Sequence, residues 1–253
     1  MIKMELYLQN IMESIQFENL PSEWTNFDFV KFSDKKKLFD YQQDALKNVL
    51  KALYKYYKDF NADKRLFFQF YKNNGFSENL DFVINNNKIL SIFEEFNNDY
   101  GITGNTIAFY NFINRMSFWM ATGSGKTIVI VKLIELLINL MKENQIPKKD
   151  ILFLTYREDL IDQFKSHIEE FNKSIGNLNI NLNDLKQYDS IKRESRMNIN
   201  NGVDIFYYRS DLISDEQKDK IIDFRNYDNN GNWYILLDEA HKGDREDSKR
   251  VCQ

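Results

Sequence analysis

Residues 120–127 read Met120-Ala121-Thr122-Gly123-Ser124-Gly125-Lys126-Thr127. An apolar run, residues 118–120, leads into the two glycines, and an apolar helical run, residues 128–141, follows the Lys-Thr pair. A strand, a glycine-containing loop, Lys-Thr and a helix, in this order, are the layout of a phosphate-binding P-loop. We therefore predict a strand that ends near Met120, a tight loop, and a helix that begins near Lys126.

The residues of this loop suit a phosphate group. Gly123 and Gly125 allow the backbone to turn sharply and bring its N–H groups close to phosphate oxygens, and the helix that follows adds the positive end of its dipole. Lys126 can reach the β- and γ-phosphates of a nucleotide, and the Thr127 hydroxyl can hold Mg²⁺. Met120 replaces the first glycine of the general pattern. The residues predicted to hold the nucleotide in this loop are Thr122, Gly123, Ser124, Gly125, Lys126 and Thr127.

The composition, 43% apolar and 28% charged, is ordinary for a soluble globular protein and excludes several kinds of site. The net charge of −4 gives no overall basic footprint, so any nucleic-acid contact must come from locally placed Lys and Arg. The single cysteine, Cys252, excludes an intramolecular disulfide. The chain has only two histidines, His167 and His241, which argues against a His-based zinc site. No run could span a membrane and the N-terminus lacks a signal-peptide pattern, so we expect a cytoplasmic protein.

Three apolar runs further along the chain, residues 151–154, 203–208 and 233–237, predict strands of a mostly parallel sheet. Helical patterns alternate with them, so we expect an α/β fold with helices on both faces of the sheet. Loops at the carboxyl ends of such strands are where an open α/β sheet presents its ligands. Arg157 follows the first run, and it is either a phosphate-contacting residue or a solvated arginine. Residues 172–202 are polar and are predicted to form a helix plus loop.

The last of these runs ends in Asp238-Glu239-Ala240-His241. A carboxylate at a strand tip beside a P-loop can orient Mg²⁺ through its water shell, which predicts a metal role for Asp238. Glu239, the next residue, can polarise the water that attacks a γ-phosphate. The alternative is an exposed Asp-Glu pair with no function, and the P-loop upstream argues against it.

Two helices are predicted before the P-loop. Apolar residues at helical spacing indicate an amphipathic helix over residues 2–17, and a second helix is predicted to begin after Ser33 or Asp34, which are plausible caps. Gln42 lies near the start of the second helix, and its amide can pair with both N6 and N7 of adenine. Taken alone, Gln42 is interpreted as a surface glutamine, and only the neighbouring motifs favour the adenine-reading role.

Residues 58–113 are rich in aromatic side chains and in asparagine, and they indicate a mostly helical insertion before the P-loop. Aromatic rings beside Lys64, Arg65 and Lys72 could stack on the bases of single-stranded nucleic acid. The same rings could instead form a hydrophobic core, which is the interpretation that helical spacing in residues 89–96 favours.

Three motifs in order, Ala-Thr-Gly-Ser-Gly-Lys-Thr, Arg157-x-x-Leu160-x-x-Gln163 and Asp238-Glu239-Ala240-His241, follow a Tyr41-Gln42-Gln43-Asp44-Ala45 stretch. This set resembles the first motor domain of superfamily 2 helicases and translocases of the DEAH-box kind, over residues 36–45 and 116–250. It looks most like the motor of type III restriction enzymes, and secondly of type I, because a methionine opens the P-loop and the Arg-to-Gln distance matches theirs. The resemblance implies a RecA-like P-loop NTPase fold that binds ATP and Mg²⁺.

Carried over position by position, the resemblance implies a role for each matching residue. Lys126 would bind phosphate and Gln42 would read adenine. Thr127 and Asp238 would hold Mg²⁺, and Glu239 would activate water. Contacts to the nucleic-acid backbone would come from Arg157, Arg209 and Ser210, and coupling to a second lobe from His241.

The resembled family continues with a Ser-Ala-Thr motif, a second RecA-like domain that bears an arginine finger, and often a nuclease domain, and none of these occurs in the 253 residues. We expect residues 1–35 to be an N-terminal helical extension and residues 36–253 a first RecA-like domain, incomplete at its C-terminal end.

The function expected from the resemblance is the first motor lobe of a DNA translocase or helicase in a restriction-modification or phage-defence system. Duplex DNA, a second lobe and a nuclease or methyltransferase subunit are the expected partners, with no membrane. The alternative is a truncated nucleotide-binding or partner-binding module that cannot turn over ATP. A P-loop kinase fits less well, because Asp-Glu-Ala-His has no use in phosphorylating a small molecule.

Overall fold

The computed structural model describes residues 7–76, 81–96, 101–121, 123–176, 178–195, 202–214, 218 and 221–239. The chain forms two compact units, Met1–Asn26 with Gln43–Met120 and Phe27–Gln42 with Ala121–Gln253. The boundary that the sequence suggested between residues 35 and 36 stays a prediction. No helix among the described residues is long and apolar enough to cross a membrane.

The first unit is mostly helical. Its elements, numbered in chain order, are α1 (Tyr7–Glu13), α2 (Ser22–Thr25), α3 (Asp40–Tyr54, of which the first three residues belong to the second unit), α4 (Lys64–Asn73), β1 (Phe82–Val83), α5 (Asn87–Glu95) and β2 (Thr106–Ile107). The two short strands pair antiparallel, and a π-helical turn, Lys55–Asp59, follows α3.

The aromatic residues of the first unit form its core. Phe67, Tyr71 and Phe76 are buried and pack with Ile11 and Met12 of α1. Two cations beside these rings make cation–π contacts within the same unit. The Lys72 ammonium lies 5.2 Å from the centre of the Phe68 ring, and the Arg65 guanidinium lies over the ring of Tyr110. The core interpretation of this segment is therefore confirmed for the three buried rings, which are not available to stack on bases.

The second unit is an α/β sheet structure. Its elements are α6 (Lys126–Lys142), β3 (Asp150–Thr155), α7 (Glu158–Ser174), β4 (Asn179–Asp184), α8 (Tyr188–Ser195), β5 (Gly202–Arg209), β6 (Ile213–Ser214), β7 (Ile222–Asp223) and β8 (Trp233–Leu237). The four longer strands form one parallel sheet in the order β4-β5-β3-β8. Because parallel strands need crossover connections, helices lie between them in the sequence.

Helices cover the two faces of this sheet, as the sequence predicted. On one face Phe153 of β3 stacks on Phe164 of α7, with ring centres 4.0 Å apart. On the other face Leu152 and Phe206 pack with Tyr188 at the start of α8. The alternation of side chains along each strand places neighbours such as Leu152 and Phe153 on opposite faces, and helices can therefore bury both.

One strand of the sheet differs from the sequence-based prediction. Residues 172–202 were expected to be helix plus loop, but β4 lies within them and pairs with β5 over six residues, from Asn179–Gly202 to Asp184–Tyr207. Ile180 of this strand is buried, whereas Asn179 is exposed. The strand tolerates its four polar side chains because none of them is buried, and among the described strands β4 pairs only with β5 and is at the edge of the sheet.

The predicted strand before the P-loop is also wrong. Residues 115–121 adopt no regular secondary structure, and Trp119 is 83% exposed. A strand is stabilised by pairing with a neighbour, and residues 118–120 pair with no strand that the structure describes.

Strand β8 has β3 on one side, and on the other side no described strand pairs with it. Two apolar residues of β8, Ile235 and Leu237, are exposed.

A segment of the second unit, residues 27–39, which we call the strap, precedes α3 and is fixed to α7. Ser33 Oγ donates a hydrogen bond to Glu170 of α7 (2.7 Å), and Lys36 forms an ion pair with the same carboxylate. The Ser33 hydroxyl also accepts hydrogen bonds from the backbone N–H groups of residues 35 and 36. Ser33 therefore caps a turn, and α3 begins only at Asp40, later than predicted.

The strap is also bound to α6. Lys132 of α6 is 1% exposed, and its ammonium donates to the backbone carbonyl of Lys31 (2.9 Å) and pairs with Glu135 (2.6 Å). Burial raises the pKa of Glu135, while the Lys132 ammonium acts in the opposite direction. A buried ammonium is tolerated only when it is paired and hydrogen-bonded. These contacts hold the chain just before Gln42 against the helix that follows the P-loop.

Candidate functional site

The P-loop has the backbone that the sequence predicted. Gly123 and Gly125 both adopt left-handed conformations, with φ of 78° and 76°, which a residue with a side chain rarely adopts. Helix α6 begins directly after them at Lys126, so the positive end of its dipole lies at the loop. Ser124 Oγ is buried and makes no hydrogen bond to a described residue, and a bound phosphate could satisfy this polar atom. Thr122 lies outside the described residues.

Two adjacent residues at the start of α3 hold the P-loop. The Gln42 amide, which is 3% exposed, donates from Nε2 to the backbone carbonyl of Ser124 (2.7 Å). The Tyr41 hydroxyl donates to the same carbonyl (2.8 Å). The Gln42 Oε1 accepts from the backbone N–H of Phe39 (2.9 Å), which fixes the orientation of the amide. Gln42 is therefore not a surface glutamine, because it is buried against the loop that is predicted to bind phosphate.

Thr127, the predicted magnesium ligand, is buried at the first turn of α6. Its hydroxyl lies 3.5 Å from Oε1 of Gln163, within donating distance, and Gln163 is in the second turn of α7. Gln163 is part of the motif Arg157-x-x-Leu160-x-x-Gln163, but no role was predicted for it from the sequence. The motif itself was the available signal, because it places Gln163 in the helix that follows a central strand, three residues after Leu160 and on the same side of that helix.

The two carboxylates lie at the carboxyl end of β8. The Asp238 backbone N–H donates to the carbonyl of Leu154 (2.8 Å), which continues the β3–β8 ladder past the last residue of the strand. Asp238 is 7% exposed, and its Oδ1 accepts from the Glu239 backbone N–H (2.9 Å). Glu239 has a left-handed backbone with φ of 55°. Such a conformation costs a residue with a Cβ roughly 1–2 kcal/mol, and strain of this kind is often found at functional sites.

The two predicted nucleic-acid arginines each have an acidic partner. Arg157 makes two hydrogen bonds to Asp159 (2.8 and 2.5 Å), which raise the pKa of Arg157. Arg209 is bound in the same way by Asp211 (3.0 and 2.7 Å) and lies 3.4 Å from Glu158. A nucleic-acid phosphate would have to compete with these carboxylates for the guanidinium groups. Ser210 follows Arg209 in a short 3-10 helix, and His241 lies outside the described residues.

Helix α7 links the parts of the site. Gln163 in its second turn contacts Thr127 of the P-loop helix. Arg157, which directly precedes the helix, is close enough to Glu239 for the charge of that carboxylate to contribute to the raised arginine pKa. Helix α7 therefore contacts the residue predicted to hold Mg²⁺, and the arginine that precedes the helix is influenced by the charge of the residue predicted to activate water.

The donor set fits a magnesium ion held together with a nucleotide. Among the described residues there is no group of three or more His, Cys, Asp or Glu side chains that could hold a metal ion alone. Mg²⁺ commonly keeps several water ligands and is bound by one or two protein groups plus substrate phosphates. Thr127 and Asp238 supply such protein groups, and the remaining ligands would be phosphate oxygens and water.

Gln42 can still read a base, because its present contacts use only half of its hydrogen-bonding capacity. The amide has two N–H groups and two lone pairs, and the contacts to Ser124 and Phe39 use one of each. Adenine needs one donor and one acceptor, whereas the corresponding edge of guanine presents two acceptors. We expect ATP to bind more tightly than GTP by about 1–3 kcal/mol, and Gln42→Ala to remove this preference.

Calorimetric titration with both nucleotides checks this prediction. The neighbouring Gln43→Ala is a matched control that removes the same amide one residue further along α3. A Gln42→Ala variant that keeps the full preference for ATP would show that the amide serves only the loop.

A model of a known protein family matches most of the chain. Residues 35–253 match the sequence model of a family described as type III restriction enzyme, res subunit. No curated protein and no solved structure matches the chain. The match covers the last five residues of the strap, the P-loop, α7 and the two carboxylates that follow β8. The chain therefore belongs to the family of type III restriction enzyme res subunits, and it carries a helicase-like ATP-binding motor lobe of superfamily 2 with a RecA-like P-loop fold.

Proposed function

We propose that this lobe couples ATP hydrolysis to movement on duplex DNA, in combination with a second RecA-like lobe. The observation that carries the proposal is the position of α7, which contacts Thr127 on the nucleotide side and begins beside Arg157 near Glu239. A helix that meets both sets of residues can move with the state of the nucleotide and change what it presents to DNA. Rigid elements that carry contacts to two ligands are a common basis for coupling.

Each residue has one task in this proposal. Lys126 binds the β- and γ-phosphates of ATP, Thr127 and Asp238 hold Mg²⁺, and Glu239 takes a proton from the attacking water. The P-loop N–H groups orient the phosphates, and the buried strand tip keeps Asp238 in place. The residues proposed to contact the DNA backbone are Arg157, Arg209 and Ser210, and His241 is proposed to couple the site to the second lobe. A nuclease or methyltransferase subunit would complete the restriction system.

The acidic partner of Arg157 allows a test of the DNA contact in both directions. Arg157→Ala is expected to weaken duplex DNA binding, because one phosphate contact is lost. The slope of log K against the logarithm of the salt concentration should become shallower by about 1. Asp159→Asn is expected to strengthen binding, because it removes the carboxylate that holds the guanidinium. Fluorescence anisotropy of a labelled duplex between about 50 and about 200 mM salt measures both effects.

Lys148→Ala is the control for this experiment. Lys148 is exposed in the loop before β3, at the end of the strand opposite to Arg157, and its removal changes the net charge equally. If Arg157→Ala and Lys148→Ala weaken binding by the same factor, the DNA does not contact the carboxyl end of the sheet and the proposed coupling through α7 is wrong. A single-stranded oligonucleotide of the same length shows whether the duplex is preferred.

A further inference from the structure

The Tyr41 hydroxyl and the Gln42 amide donate to a single backbone carbonyl, that of Ser124 (2.8 and 2.7 Å). A carbonyl oxygen has two lone pairs, so it can accept both bonds fully. The resemblance assigns a base-reading role to Gln42 and none to Tyr41. The Tyr41 contact is therefore a feature of the site that the proposed function does not use.

Both side chains are fixed where they meet the loop. The Tyr41 ring stacks on Phe39 of the strap, with ring centres 5.8 Å apart and an angle of 11° between the planes. The Gln42 amide is held by the Phe39 N–H. Phe39 itself belongs to the strap that Lys132 and Glu170 fix to α6 and α7. The donors are thus attached to the same helices that carry the rest of the site.

The bound carbonyl belongs to the most easily reoriented peptide of the P-loop. Ser124 lies between two glycines with positive φ, and glycine has the widest choice of backbone conformations. If the peptide between residues 124 and 125 rotated, its carbonyl oxygen would take the place of an N–H group and repel phosphate. A side chain at position 125 would displace the Gln42 amide, since a Cβ there would lie 2.7 Å from Gln42 Nε2.

We infer that Tyr41 is a positioning residue of the P-loop: its hydroxyl holds the Ser124 carbonyl away from the phosphates and keeps the loop in its binding conformation before the nucleotide arrives. The inference rests on the proposed binding of ATP by this loop and adds a residue to it. Whether or not the remaining N–H group and lone pair of Gln42 bind a base, Tyr41 is a second donor to the Ser124 carbonyl. Its effect falls on phosphate binding and is independent of the base.

The inference is tested with a ligand that has phosphates but no base. Magnesium tripolyphosphate, Mg²⁺-ATP and Mg²⁺-GTP are titrated calorimetrically into the wild-type chain and Tyr41→Phe. The variant keeps the ring and its stacking but loses the hydroxyl. We expect all three ligands to bind about 3- to 10-fold more weakly, by the same factor, which corresponds to one net hydrogen bond.

A matched control is Tyr234→Phe. Tyr234 OH also donates to a backbone carbonyl, that of Pro147 (3.0 Å), at the amino end of the sheet and away from the P-loop. This variant is expected to bind all three ligands as the wild type does. Thermal unfolding of both variants shows whether the fold is kept, and equal midpoints are expected because each loses one exposed hydroxyl contact.

A double variant, Tyr41→Phe with Gln42→Ala, tests the shared carbonyl. In each single variant the remaining donor still holds Ser124. The fold-loss of tripolyphosphate affinity in the double variant should therefore exceed the product of the fold-losses in the two single variants. A fold-loss equal to that product or smaller would show that Tyr41 and Gln42 do not share the task of holding the Ser124 carbonyl.

The inference is overturned if Tyr41→Phe leaves tripolyphosphate affinity unchanged, or if the wild type binds ATP but not tripolyphosphate. A wild type that binds none of the three would instead contradict the proposed function.

Discussion

Replacing Lys126 by alanine is expected to weaken Mg²⁺-ATP binding by at least about 100-fold. Lys126 is the first residue of α6 and follows the left-handed Gly125, so its ammonium can reach the β- and γ-phosphates at the positive end of the helix. A hydrogen bond to a charged group is worth about 1.5–3 kcal/mol, and two such bonds would be lost. Because each 1.4 kcal/mol is a factor of about ten in affinity, the combined loss exceeds about 100-fold.

Lys142→Ala is the matched control for this titration. Lys142 is the last residue of the same helix and is exposed, so the substitution changes the charge and the helix propensity in the same way at the other end of α6. Calorimetry with Mg²⁺-ATP measures both variants. Equal affinities for Lys126→Ala and Lys142→Ala would show that the loop at residues 120–127 does not bind the nucleotide phosphates.

Glu239→Gln is expected to lower the rate of ATP hydrolysis by roughly 10²–10⁴-fold while leaving Mg²⁺-ATP affinity unchanged, because general-base catalysis contributes about this much. Glutamine has nearly the same shape as glutamate but cannot take a proton from water. Its backbone can adopt the same left-handed conformation, so the Asp238 contacts are kept. Glu143→Gln, an exposed change just after α6, is the control.

The hydrolysis rate of residues 1–253 alone is expected to be low and little changed by duplex DNA, so it is best measured as phosphate release in a single turnover. Lys126, Thr127, Asp238 and Glu239 are proposed to reach the γ-phosphate from one side. An arginine finger from the other side is worth about 10³–10⁵ in rate, or roughly 4–7 kcal/mol of barrier. Robust, DNA-stimulated turnover that is lost in Glu239→Gln would contradict this expectation and would indicate a finger from a second copy of the chain. Equal rates for Glu239→Gln and Glu143→Gln would remove Glu239 from the mechanism.

The central strands could be predicted from the sequence because their residues carry a simple signal. Strands β3, β5 and β8 are largely apolar runs, and in β3 and β5 neighbouring residues on opposite faces of the sheet are both buried, which requires such runs. Strand β8 has the same composition, although its Ile235 and Leu237 are exposed. The P-loop was equally clear, since Gly123, Gly125 and Lys126 each have a conformational or electrostatic reason to be in the order observed. These features are local, and a local pattern is all that a sequence shows directly.

The features that were missed depend on other parts of the chain. Strand β4 alternates polar and apolar residues from Asn179 to Asn183, a period of two, but its four polar side chains have low strand propensity and concealed it. Residues 118–120 have the composition of a strand but no described partner to pair with. Helix α3 begins at Asp40 because Ser33 is engaged with Glu170, which is 137 residues away in the chain. No local pattern could reveal that contact.

The interaction between Gln42, Tyr41 and Ser124 spans 82 and 83 residues and was likewise beyond a local pattern. The sequence showed only that a Gln with suitable chemistry lies before the P-loop. It did not show that the amide is buried or that the tyrosine beside it binds the same carbonyl. The structure therefore adds a second purpose for the Tyr-Gln pair to the base-reading role that the resemblance implies.

The outer edge of β8 has a practical consequence for all of these measurements. Strand edges with unpaired backbone groups are where chains add to one another and begin to aggregate, and among the described strands β8 has a neighbour only on the β3 side. Ile235 and Leu237 next to this edge are 58% and 45% exposed. Concentrated samples would favour strand addition between copies, so affinities should be compared at several protein concentrations. Lysine in place of Ile235 would place a charge beside the edge, which is how natural proteins discourage such addition.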